Sequence, residues 1–232
     1  MSDVIVGGVS VKGPKHEKNQ DSFLCEKVFE SYIVAVSDGL GSRKFSEIGS
    51  ESLVSAAIKI LISREGIISD AEDLKNFVTE IHSRWLTSLE VQNFSVEDCN
   101  CTCLIMVVSP EKIFAARLGD GFIGFIADEK FFCMFDEKED RFINETDCLT
   151  ENFFVNEWQF FELSYKFFGG AVVCTDGVTF GENKAEKFVS DFCRENFNRP
   201  LEDILQELKH LLKNWKSSDD KTISFILPEE QR

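Results

Sequence analysis

The sequence predicts an α+β fold: one domain with helices on both outer faces of a sheet core. Three observations carry that prediction. Two apolar runs, residues 33–36 and 171–174, each pass through one small hydroxyl residue into an Asp-Gly pair, Asp38-Gly39 and Asp176-Gly177. Each pair is followed by a block with the spacing of two helices. Between the blocks lie short apolar runs separated by turn residues, the pattern of an antiparallel meander.

In chain order, residues 4–11 alternate loosely and stop at Gly13-Pro14, a strand and a turn. The polar stretch that follows leads into Phe23-Leu24-Cys25, a second strand with Gln20 and Asp21 at its junction. Residues 33–36 are apolar without interruption, as in a strand covered on both faces. Asp21 and Asp38 thus fall near the ends of consecutive strands, and antiparallel pairing is expected to set them at opposite ends unless Asp21 lies well inside its strand. Over 45–61, Phe45, Ile48, Leu53, Ala57, Ile60 and Leu61 recur at helical spacing. Residues 67–70 connect to a second helix striped by Leu74, Phe77, Val78, Ile81, Trp85 and Leu89.

Strands are expected at 101–108, 113–118, 122–127 and 131–135, with turns at 109–112, 119–121 and 128–129. Residues 136–140 are acidic, but a calcium loop wants Gly at its sixth position and Arg141 stands there, so the run reads as a solvated turn. Residues 141–156 read as a long loop, 160–163 as a strand and 167–170 as a turn into the strand 171–174. Ala185, Phe188, Val189 and Phe192 mark one helix face, and Pro200 opens another helix that runs to Trp215. A last strand covers 223–227. With no linker or repeat between these elements, residues 1–232 read as a single domain.

Bulk properties narrow the function. A hydrophobic content of 43% in 232 residues is enough for a sizeable core. The net charge of −16 repels phosphate backbones and anionic lipid, so neither nucleic acid nor membrane is an expected partner, whereas cations are. Eight cysteines occur without a Cys-x-x-Cys pair, a leader pattern or an apolar run of membrane-spanning length, which suits reduced thiols in the cytoplasm. Cys99, Cys101 and Cys103 alternate along one strand face and lack a fourth zinc ligand, so they read as core side chains.

Several chemistries fail on context. Gly119-Asp120-Gly121-Phe122-Ile123-Gly124 fits G-x-G-x-x-G, but that motif must open a helix, and Phe125-Ile126-Ala127 continue a strand; a hairpin turn is expected. No serine sits in a G-x-S-x-G elbow, and His82 and His210 lie in helices without dyad partners. A covalent aspartyl route needs a second acid two residues after Asp38, where Leu40 stands. What remains is a set of acids at strand ends and turns: Asp21, Asp38, Asp120, Asp176 and Asp219 or Asp220. Each alone fits a turn or a helix cap. Together they also fit hard oxygen ligands for Mg²⁺ or Mn²⁺, two of which can activate a water against a phosphoryl group.

At these residues the chain resembles the metal-dependent Ser/Thr protein phosphatases of the 2C type, in their compact bacterial branch. The resemblance runs nearly end to end. It is carried by Gly13-Pro14-Lys15-His16 with Asn19-Gln20-Asp21-Ser22, by Ser37-Asp38-Gly39-Leu40-Gly41-Ser42, and by Gly119-Asp120-Gly121. Asn144-Glu145-Thr146, Thr175-Asp176-Gly177 and Asp219-Asp220-Lys221-Thr222 complete it. It implies a four-layer αββα sandwich, two mainly antiparallel sheets flanked by helix pairs. It also implies two Mg²⁺ or Mn²⁺ ions, with Asp38 bridging them, Gly39 offering its carbonyl, Asp176 and Asp219 on the first ion, Asp21 supporting the second, and Asp120 near a weaker third. The implied reaction is hydrolysis of phosphoserine or phosphothreonine in proteins by metal-activated water.

Four positions depart from the family pattern. Gln20 stands where many members have Glu, His16 where better-studied members grip phosphate with Arg, Leu40 where some carry a His general acid, and Phe180 where many have an acid for the third ion. His16 either binds phosphate when protonated or is structural. Gln20, Leu40 and Phe180 motivate an alternative, a catalytically weak or inactive domain of the same fold that binds a phosphoprotein or a partner kinase; a small-molecule phosphatase is a weaker one. The expected partners of the enzyme are a phosphoprotein substrate and, by family analogy, a Ser/Thr kinase, with the protein a monomer.

Overall fold

The computed structural model describes residues 4–135, 147–178 and 184–229. The acidic run at 136–140, Asn144-Glu145-Thr146 and Phe180 lie outside the described residues. In chain order the strands and helices are β1 (Val4–Val11), β2 (Ser22–Val28), β3 (Ser31–Ser37), α1 (Ser46–Ser63), α2 (Ala71–Val91), β4 (Cys103–Val108), β5 (Lys112–Leu118) and β6 (Phe122–Ala127). Then come β7 (Lys130–Met134), β8 (Gln159–Ser164), β9 (Phe168–Cys174), α3 (Ala185–Glu195), α4 (Leu201–Asn214) and β10 (Lys221–Pro228).

Two five-stranded antiparallel sheets form, ordered β2-β3-β4-β5-β8 and β1-β10-β9-β6-β7. Three apolar layers hold the stack together. Ile33, Ala35, Ile105 and Phe114 pack with Leu61, Phe77 and Trp85 of α1 and α2. Val34, Val36 and Met106 meet Phe125, Val173 and Ile226 of the other sheet. Val172 and Phe225 pack with Val189 of α3 and Leu208 and Leu212 of α4. This is the αββα sandwich, and it explains the unbroken apolar run of β3: alternate residues face a helix layer and a sheet layer. Cys99, Cys101 and Cys103 are fully buried in the first of these layers, although Cys99 ends a 3₁₀ turn rather than a strand. Among the described residues no helix is long and apolar enough to cross a membrane.

The meander is a correction. β4 and β5 form a hairpin in one sheet, whereas β6 and β7 form a hairpin in the other. Residues 119–121 are therefore a crossing between sheets and not a hairpin turn. Glycine is needed there: Gly119 has φ +98°, and a Cβ on it would lie 2.5 Å from Thr102 Cγ2. No helix begins at Gly124, so the dinucleotide motif fails as expected. The turn placed at 167–170 is also corrected. Lys166 and Phe167 make the turn, with both N–H groups donating to Asp128 Oδ1 (3.0 and 2.9 Å), and Phe168 already belongs to β9. Within 141–156, the described residues from 147 onward are tied down by Leu149, whose N–H donates to Cys101 O and whose carbonyl accepts from Asn100 Nδ2.

Helix α1 sits very close to the site-bearing sheet. A Cβ at Gly49 would stand 1.8 Å from Cys99 O, and Trp85 Nε1 donates to Gly49 O at 3.0 Å. An exposed helical Gly→Ala change normally stabilises by about 1 kcal/mol. Gly49→Ala is expected to do the reverse, costing at least ~2 kcal/mol through forced separation of α1 from the 97–99 turn. Urea unfolding of the variant measures this; a midpoint at or above the wild-type value would contradict the close approach.

Candidate metal centre

Strand register brings the acids to one end of the sandwich. β2 and β3 pair Ser22 with Ser37, so Asp21 just before β2 stands beside Asp38 just after β3. The expected separation to opposite ends is thus wrong, because the start of one strand in a hairpin adjoins the end of the next. In the other sheet Ile223 pairs with Cys174, which sets the residues before β10 against those after β9, and so Asp219 and Asp220 near Asp176. Phe122 also pairs with Cys174, which brings Asp120 to the same end. Val11 pairs with Lys221, so the loop leaving β1 carries His16 toward Asp219 and Asp220.

Asp21 is buried. Its Oδ2 accepts from the hydroxyls of Thr175 (2.8 Å) and Thr222 (2.7 Å). Behind Thr222, Ser10 and Asn19 extend the network at 2.7 Å each. Burial pushes the Asp21 carboxyl up to about 6 against the pull of those hydroxyls. Asp38 is raised well above the carboxylate range by burial and then by the charges of Asp21 and Asp176. Asp176 is pushed up to about 7, first by burial and then by Asp120, Asp219 and Asp21.

Gly39 is fixed by close approach: a Cβ would lie 2.6 Å from Ser46 O. Its bridge to Cys101 is carried by flanking bonds, Thr102 N–H to Asp38 O (2.8 Å) and Leu40 N–H to Asn100 O (3.0 Å), which leave the Gly39 carbonyl outside the pair. Asp220 is 1% exposed and saturated: Oδ1 accepts from Gly13 N (2.6 Å), and Oδ2 from Gln20 N (2.7 Å) and His16 Nδ1 (2.9 Å). Gln20 turns its amide to Ser46 Oγ at 2.7 Å, tying the loop to the start of α1.

The structure therefore brings Asp21, Asp176 and Asp219 around Asp38, and Asp120 to Asp176, with Gly39 and His16 at the rim of the set. Thr175 and Thr222, to which sequence reasoning gave no role, are built into it, and Asp220, the alternative to Asp219 as a ligand, holds His16. Their signal was visible only as small hydroxyl residues and a second acid beside the candidate ligands.

The donor set fits a divalent ion. The charged neighbours that raise Asp38 and Asp176 are other carboxylates, an excess of negative charge that a divalent cation held between them would neutralise. All the donors are hard oxygens except the His16 ring.

An αββα sandwich with a carboxylate-lined end defines the class of scaffold to which this protein conforms. The chain belongs to the protein phosphatase 2C family, whose profile matches residues 13–214. Solved structures share the fold. A bacterial serine phosphatase is 15% identical with a TM-score of 0.71, the match covering 99% of this chain and 100% of that one. The catalytic domain of the serine/threonine phosphatase PstP, in complex with two manganese ions, is 17% identical with a TM-score of 0.70 over 96% and 97% of the two chains. The serine/threonine phosphatase Stp1 from Staphylococcus aureus is 16% identical with a TM-score of 0.70 over 97% and 95%. A sequence search of curated proteins gave no significant match.

Proposed function

We propose that this protein is a Mg²⁺- or Mn²⁺-dependent phosphatase that hydrolyses phosphoserine and phosphothreonine in proteins. The observation that carries this is the convergence of Asp21, Asp38, Asp176 and Asp219 at one end of the sandwich, where the charges of the other three all bear on Asp38, in a chain of the 2C family. Asp38 would hold both ions and the Gly39 carbonyl would add a donor; Asp176 and Asp219 would hold the first ion and Asp21 would support the second, with Asp120 near a weaker third position. Bound there, two ions would lower the pKa of a water and neutralise phosphoryl charge. The chain itself does the rest. Thr175 and Thr222 fix the Asp21 carboxyl, Thr102 Oγ1 accepts from the Asp38 N–H at 2.9 Å, and Asp220 holds the His16 loop against the site. No side-chain nucleophile is required. The PstP neighbour, described with two manganese ions, supports the ion count proposed for this chain.

The direct test is hydrolysis of a phosphothreonine peptide with Mn²⁺ and with EDTA. Turnover that EDTA leaves intact would reject the metal reading. The absence of a histidine at Leu40 keeps the binding-only domain as the competing reading, and it predicts Mn²⁺ binding without turnover. A neighbouring-residue test follows from the Asp21 network. Thr222→Val is expected to weaken Mn²⁺ binding by about tenfold, since groups that orient a ligand typically matter to that degree. Calorimetric titration measures it; an unchanged affinity would show that Asp21 needs no orienting donor.

A further inference from the structure

We infer that His16 is a nitrogen ligand to the ion held by Asp219, and that it tilts this centre toward Mn²⁺ and away from Mg²⁺. The inference rests on the metal reading above. His16 Nδ1 lies 2.9 Å from Asp220 Oδ2. A carboxylate accepts, so Nδ1 carries a hydrogen, and the neutral form of a ring held this way has its lone pair on Nε2. Asp220 cannot turn away, because Gly13 N and Gln20 N hold its two oxygens from the same loop that carries His16. A buried carboxylate on the far nitrogen is the usual way a metal-binding imidazole is aimed and made more basic.

The aimed nitrogen points at Asp219. Nε2 stands 3.5 Å from Asp219 Oδ1. That is long for an N–H···O bond, which falls at about 2.7–3.2 Å. It suits two atoms bound to one ion: with bonds of ~2.0–2.2 Å, ligands between a right angle and a tetrahedral angle stand ~2.8–3.6 Å apart. Ligand atoms of His16, Asp219 and Asp220 lie within 4.8 Å of one another. Of the two outer residues, the His16 side chain is 26% exposed and Asp219 45%, so an ion can reach them. Mg²⁺ prefers an all-oxygen octahedron, whereas Mn²⁺ stands higher in the order of affinity for mixed nitrogen and oxygen sites. A chain with an imidazole at this point should therefore discriminate between them.

Pulsed electron paramagnetic resonance of the Mn²⁺-loaded protein reads the ligand directly, without activity. The expected result is a ¹⁴N modulation from a bound imidazole in the wild type, lost in His16→Gln. Competition titration should show Mn²⁺ affinity reduced about tenfold in His16→Gln, with Mg²⁺ affinity changed less than twofold. The wild-type spectrum needs no variant to fold. Mn²⁺ bound in an Asp38-dependent way but without ¹⁴N modulation overturns the His16 assignment and leaves the metal centre standing. Modulation that survives His16→Gln also overturns it. Mn²⁺ binding indifferent to Asp38→Asn overturns both. Unchanged Mn²⁺ binding with weakened inorganic phosphate binding in His16→Gln overturns it by assigning His16 to the anion.

Discussion

Asp38→Asn is expected to lower kcat for a phosphothreonine peptide in Mn²⁺ by about 10³-fold, the scale on which removing one preorganised charge-stabilising group acts. The change is nearly isosteric, so the packing around β3 is kept and only a negative charge is lost. That charge is the one the fold works hardest to place. β3 is buried on both faces, Thr102 accepts from the Asp38 N–H, and Ser46 crowds Gly39 so that its carbonyl stays where it is. Asp38 is also the acid on which the charges of Asp21, Asp176 and Asp219 all act. The exposed Glu90→Gln serves as a control and should stay within about twofold of wild type, as surface changes far from a site do. A wild type that turns over no faster than Asp38→Asn in Mn²⁺ would reject the enzyme and leave the binding-only domain. EDTA applied to the wild type should reproduce the variant.

Much of this site was legible in the sequence because strand ends announce themselves. An apolar run that stops at Asp-Gly must deliver the acid to the end of a buried strand, and that reasoning placed Asp38 and Asp176 without coordinates. Register was not legible. Whether Asp21 and Asp38 lie together depends on the β2–β3 hairpin, which pairs Ser22 with Ser37. The crossing at residues 119–121 was hidden for a similar reason: Gly-Asp-Gly serves equally as a hairpin turn, and only Thr102 and Leu104 pressing on the glycines show that the chain passes between sheets. Asp220 and His16 meet across more than two hundred positions of sequence. Such a contact has no local signature, so the orientation of His16 could be read only from the fold.

The same acids that would hold the metal should destabilise the protein without it, with a defined pH dependence. Asp21 and Asp176 titrate in the folded chain at about 6 and about 7, and Asp38 is raised too, against 3.8 when unperturbed. Between those values the folded state holds protons that the unfolded state has released. Unfolding then releases protons, so stability falls as pH rises. For Asp21 and Asp176 the loss begins near the ordinary carboxylate value and is complete above about 7. For Asp176 alone it is on the order of a few kcal/mol. In EDTA the wild type should therefore melt at least ~5 °C lower at pH 8 than at pH 5, at ~2–4 °C per kcal/mol for a chain of this size. General surface repulsion also grows with pH in a chain of net charge −16, so a variant must isolate the cluster. Asp38→Asn removes one repelling charge from the cluster and nothing from the surface. It should melt higher than wild type in EDTA at pH 8 and show a shallower pH slope. Mn²⁺ at a hundred times its Kd should stabilise the wild type by about 2.7 kcal/mol. It should do little for Asp38→Asn, so that the order of the two proteins narrows or reverses when metal is added. Differential scanning calorimetry at pH 5 and pH 8, with EDTA and with Mn²⁺, reads all of this. A variant less stable than wild type in EDTA at pH 8 would mean that the cluster is held by interactions internal to the chain, and that its charge was never waiting for an ion.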